Sequence, residues 1–205
     1  MAEHPGLKNL FNEVVSGKFQ WERWGLLSVL SDYVLYYTQG DILEIGCGES
    51  SVYLSKLAEK YNRTCYHVEY SKSGVENMKN TKGYFGKNSK VFNMKSHDFF
   101  YDHKIWESGK TPSIALAFID GDHDYHVVKE DFHSVWQNLV LDGYVFLHDT
   151  MPPSDAWKAM NKCGTVYKLR EELEVQDRLG YMRVFTFPKS AFDVGLTMVR
   201  KWRTI

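Results

Sequence analysis

Apolar and polar segments alternate along the chain in a pattern that predicts strands separated by helices. Short apolar runs predict five strands, at about 41–48, 64–71, 90–98, 113–121 and 144–150. The longer segments between them carry apolar residues at helical spacing. This alternation is typical of a mostly parallel sheet that is covered by helices on both faces. The third strand is the most polar of the five and is expected near an edge of the sheet.

Both ends of the chain extend this pattern. Apolar spacing predicts N-terminal helices over 7–15 and about 21–37. Near the other end, residues 164–189 predict two more strands around a polar turn, which would form an antiparallel hairpin at one edge. The basic run "VRKWRTI" at 199–205 is expected to be a solvated terminus.

The pattern as a whole predicts an α/β fold in a single domain, 1–205. We expect a Rossmann-like, doubly wound, mostly parallel sheet of about seven strands, with an antiparallel C-terminal edge and helices on both faces. The chain contains no internal repeat, low-complexity tract or linker that would divide it.

The composition is that of an ordinary globular protein and disfavours both nucleic acid and membranes as partners. Of the 205 residues, 43% are hydrophobic and 25% are charged, and the net charge is -1. Basic residues form no block that would follow a phosphate backbone, so a nucleic-acid partner is not expected. No apolar run approaches the roughly 20 residues of a membrane helix, and the N-terminus lacks a signal-peptide core, so we expect a cytoplasmic protein. The three cysteines have neither disulfide-framework nor zinc-site spacing and are expected to be reduced.

The first predicted strand ends in a glycine turn of a kind that binds ligands. It reads "EIGCG" from Glu44 to Gly48, and Ser51 stands where a dinucleotide-binding fingerprint needs a third glycine or alanine. In an open α/β sheet the ligand binds outside the carboxyl ends of the strands. Glycines at that point allow a tight turn and a close approach of the backbone. The pattern therefore disfavours a nicotinamide dinucleotide, although a turn without any ligand would satisfy the same glycines.

This E-x-G-x-G pattern resembles the first motif of class I methyltransferases that use S-adenosylmethionine. The resemblance implies that the glycine turn holds the methionine end of the cofactor. It also implies that Glu69, 21 residues after Gly48, accepts hydrogen bonds from the ribose hydroxyls. Asp98 would lie near the adenine amino group, although an aspartate there is equally compatible with a plain turn. The expected cofactor-binding residues are Glu44, Gly46, Gly48, Ser51, Glu69, Asp98 and Asp120.

A second group of reactive side chains follows the fourth predicted strand, where "AFIDGDHDYH" brings three aspartates and two histidines together. Asp120 ends this strand, and Asp149 ends the fifth. Neighbouring strands lie about 5 Å apart, so these two carboxylates repel each other unless a cation lies between them. A divalent ion with oxygen ligands, such as Mg²⁺, would satisfy both. Asp122 or Asp124 is expected to cap the following helix.

Three motifs, D-G-x-H-x-Y, V-x-x-D and H-D-T, occur in this order as "DGDHDY", "VKED" and "HDT". They resemble those of a methyltransferase family that includes sugar and macrolide O-methyltransferases and relatives of the cephalosporin-hydroxylase group. The resemblance implies that Asp120 and Asp149 bind Mg²⁺ and that His123 is the catalytic base. The chain departs from metal-using members at His148, where they carry a second acid. Imidazole is a poorer ligand for Mg²⁺ than carboxylate is.

We therefore expect an enzyme that transfers a methyl group from S-adenosylmethionine to a hydroxyl of a small molecule, a sugar or a natural product. His123 and Asp120 are the expected catalytic residues, with a divalent metal as an optional aid. Two alternatives remain open, namely an N-methyltransferase without metal and a non-catalytic protein that binds S-adenosylmethionine. Residues 1–38 are expected to cover or flank the site. Because the chain has no inserted substrate domain, the site is expected either to be shallow or to be completed by a second copy in a homo-oligomer.

Overall fold

The computed structural model describes residues 24–80, 84–101, 111–188 and 194–202, which include a single seven-stranded sheet. The strands are β1 (Asp41–Ile45), β2 (Cys65–Val68), β3 (Ser89–Phe92), β4 (Ile114–Ile119), β5 (Leu139–His148), β6 (Arg183–Phe187) and β7 (Leu196–Arg200). Their order is β3-β2-β1-β4-β5-β7-β6, with β1 to β5 parallel and β7 antiparallel to both neighbours. The predicted doubly wound sheet, its antiparallel C-terminal edge and the edge position of the polar third strand are confirmed.

Helices accompany the sheet between its strands. They are α1 (Gly25–Tyr37), α2 (Ser50–Tyr61), α3 (Lys72–Asn80), α4 (Ser96–Tyr101), α5 (Tyr125–Asn138), a 3₁₀ turn (Asp155–Lys158) and α6 (Val166–Arg178). Local chemistry sets their ends. Asp124 caps α5, since its carboxylate accepts a hydrogen bond of 2.8 Å from the backbone N–H of His126. α2 closes at Asn62, whose φ of 52° is the left-handed conformation common after helices.

The sheet separates two apolar layers, because successive residues of a strand point to opposite faces. On one face, Leu43 and Val145 belong to a cluster that includes residues of α4, α5 and α6. On the other face, Ile42 and Phe118 belong to a cluster that includes residues of α1 and α2. All six residues of β4 are buried, as expected for a central strand covered on both sides.

The C-terminal region differs from the prediction in two places. The first strand of the hairpin predicted over 164–189 is wrong, because Val166–Arg178 is a helix, whereas the second, Arg183–Phe187, is an edge strand that pairs antiparallel with β7. Val166, Leu169 and Leu173 are buried at helical spacing, and this period outweighs the local strand-forming residues. The start of the basic run at 199–205 is not solvated either. Part of it belongs to β7, which lies between β5 and β6 with Val199 fully buried.

The start of the described chain lies against the carboxyl ends of the central strands. Trp24 directly precedes α1, and its ring centroid lies 5.6 Å from that of Phe118 and 5.1 Å from that of His148. The helix predicted over 7–15 lies outside the described residues. Within the described ranges, no helix has both the length and the apolar character needed to cross a bilayer.

Candidate active site

The strands β1, β2 and β4 end side by side at one edge of the sheet, where the loops that leave them surround a cavity of about 750 Å³. This volume is typical of small-molecule sites. Gly46 turns the chain here with a φ of 84°, and a Cβ at this position would collide with the backbone of Asp120 and Gly121. Glycine is therefore required where the two loops touch. The cavity wall includes Gly46, Glu69, Tyr70, Lys95, Asp98 and Asp131.

Three of the predicted cofactor residues, Gly46, Glu69 and Asp98, lie in this wall. The Glu69 carboxylate accepts hydrogen bonds from the backbone N–H groups of Cys47, at 2.9 Å, and Ser71, at 2.6 Å. It connects the glycine turn after β1 with the loop after β2. Asp98 lies in the first turn of α4 rather than at a strand end, because β3 ends at Phe92.

Glu44 lies beneath the glycine turn, fully buried and outside the cavity wall. Its carboxylate accepts hydrogen bonds from the hydroxyls of Ser50, at 2.6 Å, and Ser51, at 2.7 Å, and Nδ1 of His67 lies 2.6 Å away. Ser51 in turn accepts a hydrogen bond of 3.2 Å from the backbone N–H of Gly48. Sequence analysis missed His67. The signal was the two-residue alternation of the strands, which places Glu44 and His67 side by side on one face.

Two acids and two histidines form a continuous chain of contacts at the ends of β4 and β5. Nδ1 of His148 lies 3.1 Å from Oδ1 of Asp120 and 3.6 Å from Oδ2 of Asp149. Nε2 of His123 lies 3.0 Å from the same Oδ2 of Asp149. The prediction that β4 and β5 are neighbours is confirmed, and the ring of His148 contacts the carboxylates at both strand ends.

Electrostatic interactions and hydrogen bonds in this cluster shift the pKa values of His148, Asp149 and His123. Burial opposes a charge on His148, but Asp120 and Asp149 outweigh it and raise the pKa of His148 to about 10. Burial likewise opposes ionisation of Asp149, yet hydrogen bonds from the two histidines hold its pKa well below the usual range. A hydrogen bond to Asp149 raises the pKa of His123, against the effect of burial. At neutral pH, the His148 imidazolium therefore supplies the positive charge that was expected between the carboxylates.

Asp149 is the centre of this cluster and has a third donor. Its φ of 58° is left-handed, a conformation that aspartate adopts more readily than most residues do. The buried thiol of Cys163 donates a hydrogen bond to its carboxylate. Burial, together with this carboxylate, raises the pKa of Cys163 to about 12, so the thiol is a donor and not a nucleophile. No local pattern marks Cys163, because the contact depends on the path of the loop before α6.

Asp131 is a further acid that sequence analysis left without chemistry. It lies in the cavity wall, and only 4% of the residue is exposed. Burial raises its pKa to about 6, while a hydrogen bond from Ser96 opposes the shift. Asp131 is the aspartate of the V-x-x-D motif, which was the available signal.

Comparison with known proteins adds to this description. A family described as a methyltransferase domain matches residues 43–150, more than half of the chain. No curated protein matches the sequence. Among solved structures, an O-methyltransferase from Bacillus cereus in complex with S-adenosylhomocysteine (SAH) is 13% identical, with a TM-score of 0.66, and the match covers 98% of this chain and 92% of that one.

Two further structures are similar over nearly the whole chain. The O-methyltransferase TomG from Streptomyces achromogenes, in complex with S-adenosylmethionine (SAM), is 15% identical, with a TM-score of 0.64, and the match covers 98% of this chain and 91% of that one. The SAH-bound methyltransferase PaMTH1 from Podospora anserina is 14% identical, with a TM-score of 0.60 and coverages of 98% and 97%. At these identities, the structures establish the fold.

The family match establishes the class of protein. Its range contains the glycine turn, the cavity wall around Glu69 and the whole cluster from Asp120 to Asp149. The chain therefore belongs to this family of methyltransferase domains and is, as its sequence predicts, a SAM-dependent methyltransferase.

Proposed function

We propose that the chain methylates a hydroxyl oxygen of a small molecule, a sugar or a natural product, with His123 as the general base. The observation that carries this proposal is the 3.0 Å contact between Nε2 of His123 and Oδ2 of Asp149. The two residues before His123, Gly121 and Asp122, line the cavity, and we propose that the acceptor reaches His123 from there. Two of the similar structures are named as O-methyltransferases, which supports oxygen as the acceptor atom.

In this mechanism, bound SAM supplies a methyl group on a positively charged sulfur. The residues of the chain hold the acceptor hydroxyl in line with the C–S bond and remove its proton. A C–O bond forms as the C–S bond breaks, the sulfur keeps the electron pair as a neutral thioether, and the hydroxyl proton passes to His123. Asp149 stabilises the resulting imidazolium, because its carboxylate contacts that ring.

Access to Nε2 of His123 sets a condition on the acceptor. Nε2 faces Asp149, and the backbone of Lys162 also hydrogen-bonds the ring. When the neutral ring keeps its hydrogen on Nδ1, the lone pair of Nε2 points at a carboxylate oxygen, which is unfavourable. Because Nε2 and Oδ2 of Asp149 are only 3.0 Å apart, the ring must turn away from Asp149 before the acceptor hydroxyl can donate its hydrogen to Nε2. The His123 side chain is 26% exposed, which leaves room for such an approach.

A divalent ion remains part of the proposal, with Asp120 and Asp149 as its protein ligands. Mg²⁺ is commonly held by one or two carboxylates together with water, and the donor atoms of Asp120, His123 and Asp149 lie within 4.8 Å of one another, so the residues fit such an ion. His148 already contacts Asp120 at 3.1 Å and competes with the ion for that carboxylate. We therefore propose weak binding. When bound, the ion would lower the pKa of the acceptor hydroxyl.

The His148→Asp variant tests this metal site, because it restores the second acid of the metal-using relatives. We expect Mg²⁺ affinity, measured by calorimetry with SAH present, to rise by about tenfold or more over the wild type. His148→Asn is the matched control, since it removes the competing imidazolium without adding a carboxylate. Equal Mg²⁺ affinity in the wild type and His148→Asp would contradict a metal at these residues.

Methylation of a nitrogen is the second candidate, and the ion pair of His148 with Asp120 favours it. This pair balances the charge of the carboxylate without a metal, and a nitrogen nucleophile needs no metal. A protein that only binds SAM would have no evident use for the cluster of acids and histidines.

We also propose that the partner is a small molecule rather than nucleic acid or a membrane. We further propose that the protein acts in the cytoplasm and that a second copy of the chain completes the site.

Turnover with a panel of hydroxylated and aminated small molecules tests the proposed reaction, with SAH as the measured product. We expect His123→Ala to lower turnover by about 100-fold or more, while the affinity for SAM stays within about twofold. His133→Ala is the control, because it removes an exposed histidine of α5. Transfer to amines alone would favour the second candidate, and equal loss of turnover and cofactor affinity would make His123 a structural residue.

A further inference from the structure

We infer that His67 is a positioning residue for the cofactor, because its contacts with Glu44 and, through Glu44, with Ser51 fix the glycine turn at Gly48. The inference rests on the proposed SAM-dependent function and on the expectation from the sequence that this turn holds the methionine end of SAM. It assigns a role to a fully buried histidine that lies outside the cavity wall. His67 acts through two other residues and touches no ligand itself.

The His67 ring is held at both of its nitrogens. Nδ1 lies 2.6 Å from Oε2 of Glu44, and it must carry a hydrogen because a carboxylate only accepts. Nε2 lies 3.2 Å from the hydroxyl of Ser55 in α2 and 3.1 Å from that of Ser89 in β3. One side chain in β2 therefore links β1, α2 and β3 beneath the cofactor loop.

Ser51 transmits this arrangement to the glycine turn. Its hydroxyl has one hydrogen, which it donates to Glu44 at 2.7 Å. Its oxygen is then free to accept the hydrogen bond of 3.2 Å from the N–H of Gly48. Nothing lies within 4 Å of the position where a Cβ of Gly48 would stand, so the turn faces open space on that side. The direction of one carboxylate thus decides where this peptide group is held.

The Glu44 carboxylate depends on His67 because it is fully buried. A buried carboxylate needs several donors, and the loss of one leaves an oxygen unsatisfied at a considerable cost. Without His67, the remaining donors are the hydroxyls of Ser50 and Ser51, which both belong to the first turn of α2. We expect the carboxylate to shift toward them and to release the constraint on Gly48.

Two substitutions separate the two sides of the ring. The amide of Asn lies near the position of Nδ1, so His67→Asn can still donate to Glu44. The amide of Gln reaches the position of Nε2, so His67→Gln keeps the serine contacts and loses Glu44. We expect His67→Gln to weaken SAH binding by about tenfold and His67→Asn to change it by about threefold or less.

Calorimetry with two ligands distinguishes this role from general packing. SAH carries the amino-acid part that the glycine turn would hold, and 5′-methylthioadenosine lacks it. The affinity of His67→Gln for methylthioadenosine should equal that of the wild type. Equal weakening of both ligands, or unchanged SAH binding, would overturn the inference. Failure of the wild-type protein to bind SAH would instead overturn the proposed function.

A second pair of variants keeps the test decisive if His67→Gln does not fold. Ser51→Ala removes the partner of Gly48, whereas Ser50→Ala removes a similar hydrogen bond to Glu44 and leaves the turn in place. We expect Ser51→Ala to weaken SAH binding by about tenfold and Ser50→Ala by about threefold or less. Equal effects of the two, or no effect of Ser51→Ala, would contradict the proposed link.

Discussion

Two halves of the same sheet edge carry acids, and the carboxylates of the two halves are stabilised in different ways. Beside the cavity, Glu69 is bound by backbone N–H groups, and Glu44 by two hydroxyls and one histidine. At the ends of β4 and β5, Asp120 and Asp149 are bound by two histidines whose pKa values are both raised. The first half relies mainly on donors that do not titrate near neutral pH, and the second on imidazoles.

This difference separates the two tasks of a methyltransferase. Binding of a cofactor is served by donors that are already in place and keep one charge state, because nothing must reorganise. Removal of a proton needs a group that changes its charge near the working pH, and histidine is such a group. We therefore expect substitutions in the first half to alter cofactor affinity and those in the second half to alter turnover.

The largest expected effect comes from Asp149→Asn. Asparagine tolerates the left-handed φ of 58°, so the backbone should be preserved while the charge beside His123 is lost. We expect turnover to fall by about 100-fold or more, with SAH affinity within about twofold of the wild type. Glu69→Gln is the mirror variant and should weaken SAH binding while turnover at saturating cofactor is nearly preserved. If either variant lost both turnover and SAH affinity, the two halves would not have separate tasks.

The next largest expected effect is a difference between the pH dependence of turnover and that of SAH affinity. His123 must be neutral to accept a proton, and its pKa is raised above the usual 6.5. Turnover should therefore rise with pH and reach its plateau above that value, with about a tenfold loss per pH unit on the acid side. SAH affinity should stay constant between about pH 7 and 9. A parallel pH profile for binding and turnover would show that the halves are not independent.

Sequence patterns predicted the parts of this arrangement that depend on local periodicity. The helix from Ser50 to Tyr61 and the central strands follow from apolar spacing, and the order of parallel strands brought Asp120 and Asp149 to one edge. Sequence patterns did not predict contacts between residues that only the tertiary structure brings together. Cys163 reaches Asp149 from a distant loop, and His67 meets Glu44 only through the register of β1 and β2.

A smaller effect concerns stability in the second half. The folded-state pKa of His148 is about 10, above its unfolded value of about 6.5, so its contribution to stability is full below pH 6.5 and is lost as pH rises toward 10. His148→Asn removes this contribution. The melting temperature of the variant should lie below that of the wild type at pH 6.5, and the gap should close as pH approaches 10. A gap that is constant with pH would mean that His148 contributes by packing against Trp24 rather than by its charge.

The smallest expected effect concerns Asp131, an acid in the cavity wall of the first half whose pKa is raised. Burial raises its pKa to about 6 in the folded protein, above the unfolded value of about 3.9, so ionisation opposes folding and stability is lost as pH rises between these values. Asp131→Asn can still accept the hydrogen bond from Ser96 and does not ionise. Relative to the wild type, the variant should gain roughly 6–10 °C in melting temperature at pH 7, and the gain should shrink as pH falls to 4. A difference that is unchanged over this range would mean that Asp131 keeps one charge state throughout.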